Sequence, residues 1–385
     1  MADAPRHAAR ARKSSLGGSP EETLARLVLE ESLAVESGES VAIETWAHAL
    51  PWARPFVWEA RRLGADPSLI VEDEAAFFRS LAIGRRRHLP NANPAHAATH
   101  AAYVYLGGPE AFPRLLGLPS RDFEAIVRWQ GPAWWRAARR SGLRAANLAI
   151  AGVTETAADR FGVDPSSWRR DVLRASLVPP SRLARSGEAV LADLRPGRRL
   201  AIRHANGTEI HTVLDRSPPF LEDGRVDAAD RRSGRFWTQV PSGLLAVPLR
   251  PGATEGTWET NRPVYDRFSE PSVSVGARFV FDSGRLREFS FDRGGESFAA
   301  ALGRQHIHRA APALVTIGLN PEIGRTPELG ELAAGAIGLW IGAGPPAVGG
   351  ERGRFSYLST LDGADVELDG RPWFTAGRAT PRRRR

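Results

Sequence analysis

Ser40-Val41-Ala42-Ile43-Glu44-Thr45 is the stretch that decides the fold class. It is a short apolar, β-branched run set between two helical patterns, which is how a buried strand reads. Before it, Leu24, Leu27, Val28, Leu29 and Leu33 make a helical stripe over residues 21–36, with Ser19 as cap, Pro20 at the first position and Gly38 at the end. After it, Pro51 to Leu63 reads as a helix that stops at Gly64. The alternation goes on: a strand at 68–72, a helix at 74–82, a strand at 102–106, a helix at 121–140, a strand at 147–151, and helices at 154–161 and 165–176. Strands that alternate with helices predict an α/β N-terminal domain, residues 20–180, with a mostly parallel sheet covered by helices on both faces.

Val178-Pro179-Pro180-Ser181 marks the boundary, and beyond a helix at 181–193 the pattern changes. Short strands are expected at 199–204, 207–214, 244–248, 272–282, 285–292 and 353–358, with Asp282-Ser283-Gly284 as a hairpin turn. Helices are sparse there and are expected mainly at 295–310 and 328–334. Residues 181–378 therefore read as a strand-rich α+β C-terminal domain. The basic head (1–19, with Arg6, Arg10, Arg12 and Lys13) and the basic tail (379–385, with Arg382 to Arg385) lack apolar periodicity and are expected to be disordered.

Composition narrows the chemistry. The chain has 385 residues, 42% hydrophobic and 25% charged, as in soluble globular proteins. It has no cysteine, which excludes disulfides, thiolate nucleophiles and Cys-ligated zinc. The net charge of +8 is concentrated at the two ends, so a solvated tail is expected rather than a nucleic-acid partner. No apolar run reaches the ~18 residues of a membrane span, and the basic head leads into no signal-peptide core. A cytoplasmic location is expected. There is no Gly-x-Ser-x-Gly elbow, Walker loop or dinucleotide fingerprint. The segment Gly342 to Gly350 has two prolines and no lysine, and reads as a cleft loop.

Several motifs, taken in order, resemble the aminopeptidase T type of two-metal metallopeptidase, over roughly residues 20–378. They are Gly38-Glu39-Ser40-Val41-Ala42-Ile43, Leu63-Gly64-Ala65-Asp66, Asn206-Gly207-Thr208-Glu209-Ile210, Gln239-Val240-Pro241-Ser242-Gly243, Ile317-Gly318-Leu319-Asn320-Pro321, Glu331 through Gly335, and Val366-Glu367-Leu368-Asp369-Gly370-Arg371. The resemblance implies an aminopeptidase T-like fold, metals in the second domain, and dimerisation around the active cleft, as a homodimer or with a paralogue.

The metal ligands do not carry over. The Glu of the family's Leu-Pro-Thr-Gly-Glu motif falls on Leu244, the next Glu on Leu314, and a His on Gly338. The final His-x-Asp pair falls near Ser359-Thr360-Leu361, with Asp362 one position on. Leucine and glycine side chains have no lone pair for a divalent ion. A related family of dihydroxypyridine dioxygenases needs two His and one carboxylate for iron, and the sequence does not supply histidines there either. The expectation is a scaffold with no bound metal or cofactor.

Other candidates are open to two readings. His306 and His308 share a face if extended and point about 200° apart on the expected helix. His211 lies on an expected strand, and His96 and His100 have the i, i+4 spacing that suits zinc. Trp237, Trp258 and Trp340 lie near the altered positions, and aromatic rings suit peptide contact as well as core filling. The expected function is non-catalytic peptide binding by Trp237, Gln239, Leu244, Trp258, Leu314, Gly338, Trp340 and Ser359. Arg235, Arg262 and Arg325 are candidates to clamp a peptide carboxylate. Such a protein would suit precursor-peptide recognition in ribosomal natural-product biosynthesis. The alternatives are an enzyme of altered chemistry using His306 and His308, and a structural partner of an active paralogue.

Overall fold

The computed structural model describes residues 18–82, 99–111, 134–194, 198–265, 273–304, 310–324, 329–342 and 356–380. Ser19 starts helix α1 (Pro20–Arg26) with a capping box. Its hydroxyl accepts from the Glu22 N–H, while the Glu22 carboxylate accepts from the Ser19 N–H. The helix continues as a π-helical turn over Leu27–Ser32, and the two together bury Leu24, Val28 and Leu29. Strands are numbered in chain order.

Five parallel strands form the first sheet: β2 (Asp66–Glu72), β1 (Ser40–Trp46), β3 (Ala102–Leu106), β4 (Arg144–Leu148) and β8 (Trp237–Val240), in that spatial order. Helix α2 (Leu50–Arg62) connects β1 to β2, and α3 (Glu74–Ala82) follows β2. On one face Val41, Ile43, Val104 and Ala146 pack against Leu24, Phe56 and Val172. On the other face Ala42, Tyr103, Ala145 and Trp237 pack against Trp134 and Phe236. Burial on both faces is why β1 reads as a nearly continuous apolar run.

The second half is antiparallel. An eight-stranded sheet runs β14 (Arg285–Ser290), β13 (Arg278–Asp282), β10 (Glu255–Glu259), β6 (Glu209–Val213), β5 (Arg199–Arg203), β18 (Asp365–Leu368), β19 (Arg371–Thr375), β20 (Arg378–Ala379). A five-stranded sheet runs β17 (Ser356–Leu361), β16 (Ile337–Gly342), β15 (Pro312–Gly318), β9 (Leu244–Pro248), β7 (Phe220–Glu222). A short pair, β11 (Val264–Tyr265) and β12 (Val273–Ser274), stands apart from both. Leu200, Ile202, Ile210, Trp258 and Phe279 share one core with Leu245, Val247, Val315, Ile317 and Leu339.

The α/β and strand-rich fold class is as expected. Several details differ. The strand expected at 147–151 lies at Arg144–Leu148 and passes into a 3₁₀ turn. The second region's helix at 295–310 is described as Glu296–Arg304, and the one at 328–334 is a single 3₁₀ turn, Gly330–Leu332. Strands β7, β8, β10, β15 and β16 had no sequence expectation. β15 and β16 are apolar on both faces, so they lack the alternation that marks a strand. β8 comes from the second region yet completes the first region's sheet. The described helices include none long and apolar enough to cross a membrane. The expected disorder of residues 1–17 and 381–385, the helix over 121–133, and His96, His306, His308 and Arg325 lie outside the described residues.

Candidate functional site

The chain leaves the parallel sheet at Val240, turns at a cis Val240–Pro241 bond, and enters the five-stranded sheet at Leu244. Two of the motifs carrying the sequence resemblance meet there. The buried Asn320 side chain donates to the Ser242 carbonyl at 2.9 Å and to the Ala175 carbonyl at 3.0 Å, while the Leu319 N–H donates to Gly243 at 2.9 Å. Gly243 has φ +117, and a Cβ on it would approach the Asn320 backbone nitrogen to 3.0 Å, so the close approach needs glycine.

Strand register places four of the sequence-inferred positions on one face of the five-stranded sheet. Glu222 pairs with Leu244, and Leu244 with Gly318. In the next row Phe220 pairs with Ala246, Ala246 with Thr316, Thr316 with Gly338 and Gly338 with Thr360. In the third row Pro248 pairs with Leu314, Leu314 with Trp340 and Trp340 with Leu358. Side chains two residues apart share a face. Leu244, Leu314, Gly338 and Trp340 therefore belong to one surface. Leu314 and Gly338 are buried in its floor, and Leu244 and Trp340 are half-buried.

Thr316 occupies the middle of that floor. Its hydroxyl is fully buried and has no hydrogen-bond partner. Gly338 makes room for it, because a Cβ on residue 338 would collide with Thr316 Oγ1 and would come within 2.9 Å of Leu358. A ring-bearing ligand such as histidine at 338 does not fit beside Thr316. Neither Leu244, Leu314 nor Gly338 offers a donor atom. Asp362, the remaining candidate ligand, forms an ion pair with Arg262. Among the described residues, the three aligned positions therefore bring no ligand atom for a metal ion to this face.

Glu222 was not anticipated from the sequence. It sits across the strand pair from Leu244, at the edge of the same face. The Thr238 hydroxyl donates to its carboxyl group, and the Gly224 N–H donates to it at 3.3 Å. Burial of the carboxyl pushes its pKa up to about 8, and the neighbouring Asp223 adds to the rise. Glu222 is therefore a protonated acid at neutral pH beside an apolar floor. In Phe220-Leu221-Glu222-Asp223, two apolar residues followed by two acidic ones carry no periodic signal, so only the strand pairing shows its place.

The other inferred residues lie elsewhere. Trp258 and Ser359 are corrected: both are fully buried between the two antiparallel sheets, where the Trp258 indole N–H donates to the Ser359 hydroxyl at 2.9 Å. They are core, because Ser359 alternates with Leu358 and Thr360 and faces the eight-stranded sheet. Trp237 and Gln239 lie apart from the face that holds Leu244, Leu314 and Gly338. They lie on the face of the parallel sheet that turns away from Val240 and its core. Trp237 packs there against Trp134 at 6.0 Å between ring centroids, and Gln239 accepts from Asn147 at 2.8 Å.

Two of the three arginines inferred as a clamp are described, and each has an acidic partner. Arg262 is held by Asp362 and donates to the Gly324 carbonyl at 3.3 Å, and Arg235 is held by Asp230 and lies 4.9 Å over the Phe220 ring. His211 is exposed, 3.5 Å from Glu209.

No family model and no curated protein matches this sequence. Two solved structures are similar in fold. Wild-type AmpT, an aminopeptidase T, from Thermus thermophilus superposes with a TM-score of 0.67 at 16% identity, covering 94% of this chain and 99% of that one. The 2,5-dihydroxypyridine dioxygenase from Pseudomonas putida KT2440 superposes with a TM-score of 0.61 at 16% identity, covering 94% of this chain and 96% of that one. The likeness establishes an aminopeptidase-like fold over nearly the whole chain.

Proposed function

We propose that this protein binds peptides without hydrolysing them, on a face of the aminopeptidase-like fold from which the two-metal chemistry has been lost. The observation that carries this reading is the shared face of Leu244, Leu314 and Gly338, with the Thr316 hydroxyl filling the space beside Gly338. Water activation by two metals needs oxygen or nitrogen ligands converging on the ions, and these side chains have none. What remains is an apolar floor with the Trp340 ring at its side. An extended peptide would gain contact area from that ring and place apolar side chains over Leu244. The fold shared with an aminopeptidase supports a peptide as the occupant. A precursor peptide of a modified natural product is the specific class we assign, and assembly as a homodimer or with a paralogue remains part of the proposal.

The test is calorimetric titration of a peptide panel into the wild-type chain and into Trp340→Ala and Leu244→Asp variants. The reading expects wild-type binding that both variants weaken at least tenfold. Binding that neither variant alters would overturn the assignment of this face.

Glu222 favours a second reading, an enzyme of altered, metal-free chemistry. A carboxyl group with a pKa of about 8 is suited to donate a proton near neutral pH. Release of a product from a bound peptide by the wild type, lost in Glu222→Gln, would favour this reading over simple binding.

A further inference from the structure

We propose that the N-terminal half carries a divalent transition-metal site formed by His48, Glu74 and Glu110, separate from the face described above. One ring nitrogen of His48 and a carboxylate oxygen from each of Glu74 and Glu110 all lie within 4.8 Å of one another. Among the described residues this is the one group of three or more such side chains close enough to share an ion.

The three residues come from separate connections at one end of the parallel sheet. His48 follows β1, Glu74 begins α3 just after β2, and Glu110 lies beyond β3. β1, β2 and β3 are neighbouring parallel strands, so their carboxyl ends lie together along the edge of the sheet at which open α/β folds bind ligands.

The surroundings orient the ligands. His48 Nε2 lies 3.3 Å from the Ala151 carbonyl oxygen. As the donor in that bond it leaves the Nδ1 lone pair free for a cation, the backbone-held arrangement common to metal-binding histidines. The Glu74 carboxylate accepts from the Glu110 N–H at 2.7 Å and from the Ala111 N–H at 3.3 Å, which fixes its position and ties the loop bearing Glu110 to α3.

One imidazole and two carboxylates suit zinc or a similar borderline ion. Ligands at ~2.0–2.2 Å from an ion sit roughly 3–3.5 Å apart, so side-chain rotation of an ångström or so closes the set. Glu110 is exposed, so the ion would face solvent with coordination positions left for water or for a ligand's carboxylate.

The test is calorimetric titration of zinc into the full chain after chelator treatment and dialysis, with His48→Gln, Glu74→Gln and Glu110→Gln alongside. Glu74→Gln keeps an oxygen for the Glu110 and Ala111 N–H groups, so the loop is retained, and circular dichroism checks the fold of each variant. The site expects one equivalent of zinc in the wild type and at least a tenfold loss of affinity in each variant. His211→Gln, at an exposed strand position outside the cluster, should bind as the wild type does. No zinc binding by the folded wild type, or equal binding by the wild type and all three cluster variants, would overturn it. Because the cluster variants leave Leu244, Leu314 and Gly338 intact, failure here is distinguishable from failure of the peptide-binding reading.

Discussion

The Trp258 indole N–H donates to the Ser359 hydroxyl across 2.9 Å, tying the eight-stranded sheet to the five-stranded one through a fully buried bond. The sequence resemblance puts the last metal ligands near Ser359, and here that position holds two sheets together. Ser359→Ala leaves the indole N–H unpaired in the core and should lower unfolding stability by about 1–3 kcal/mol. Urea denaturation of the two proteins checks this, and an unchanged midpoint would remove the structural role given to the pair.

Thr316 and Gly338 are neighbours across β15 and β16, and each constrains the other. Gly338→Ala should destabilise the fold, because the new Cβ meets Thr316 Oγ1. Thr316→Val removes a buried hydroxyl that has no partner, and should be neutral or stabilising by about 1 kcal/mol. Thr316→Ala should recover much of the Gly338→Ala loss in the double variant, a coupling of roughly 0.5–3 kcal/mol. Thermal denaturation of the four proteins measures that coupling, and additive effects would show that the two side chains do not compete for the same space.

Glu222 makes stability depend on pH in a stated direction. Its folded pKa of about 8 lies above its ordinary value of 4.5, so the native state holds a proton that the unfolded chain releases. Its contribution is fully retained below pH 4.5, falls at up to about 1.4 kcal/mol per unit as pH rises, and levels off above pH 8. Relative to Glu222→Gln, the wild type should therefore lose stability between pH 5 and pH 8. Denaturant titrations of both proteins across that range test it, and a difference that stays constant with pH would contradict the protonated state assigned to Glu222.

Much of the architecture was legible in the sequence. Ser19 and Glu22 gave the first cap, and the apolar run from Ser40 gave the strand that orders the parallel sheet. The positions of Leu244, Leu314 and Gly338 on one face were implied by the motifs, though the strands β15 and β16 that align them were not. Leu314-Val315-Thr316-Ile317 and Ile337-Gly338-Leu339-Trp340 are largely apolar on both faces of the sheet, so their composition has no period of two to read.

Trp258 and Ser359 were misplaced for a related reason. Closeness in sequence to altered ligand positions says nothing about which face of a strand a side chain takes, and a shift of one residue exchanges groove for core. His48, Glu74 and Glu110 were missed because 62 residues separate the first from the last along the chain. The available signal was that each follows the end of a parallel strand.

The most direct measurement is calorimetric titration of the peptide panel into the His48→Gln/Glu74→Gln double variant in the presence of EDTA. This removes the ion proposed for the N-terminal half and any other weakly held metal while leaving the apolar face intact. The account predicts saturable binding of at least one peptide, unchanged when EDTA is replaced by zinc or manganese. Binding that appears only when a divalent metal is added, or no binding by any peptide, would contradict it.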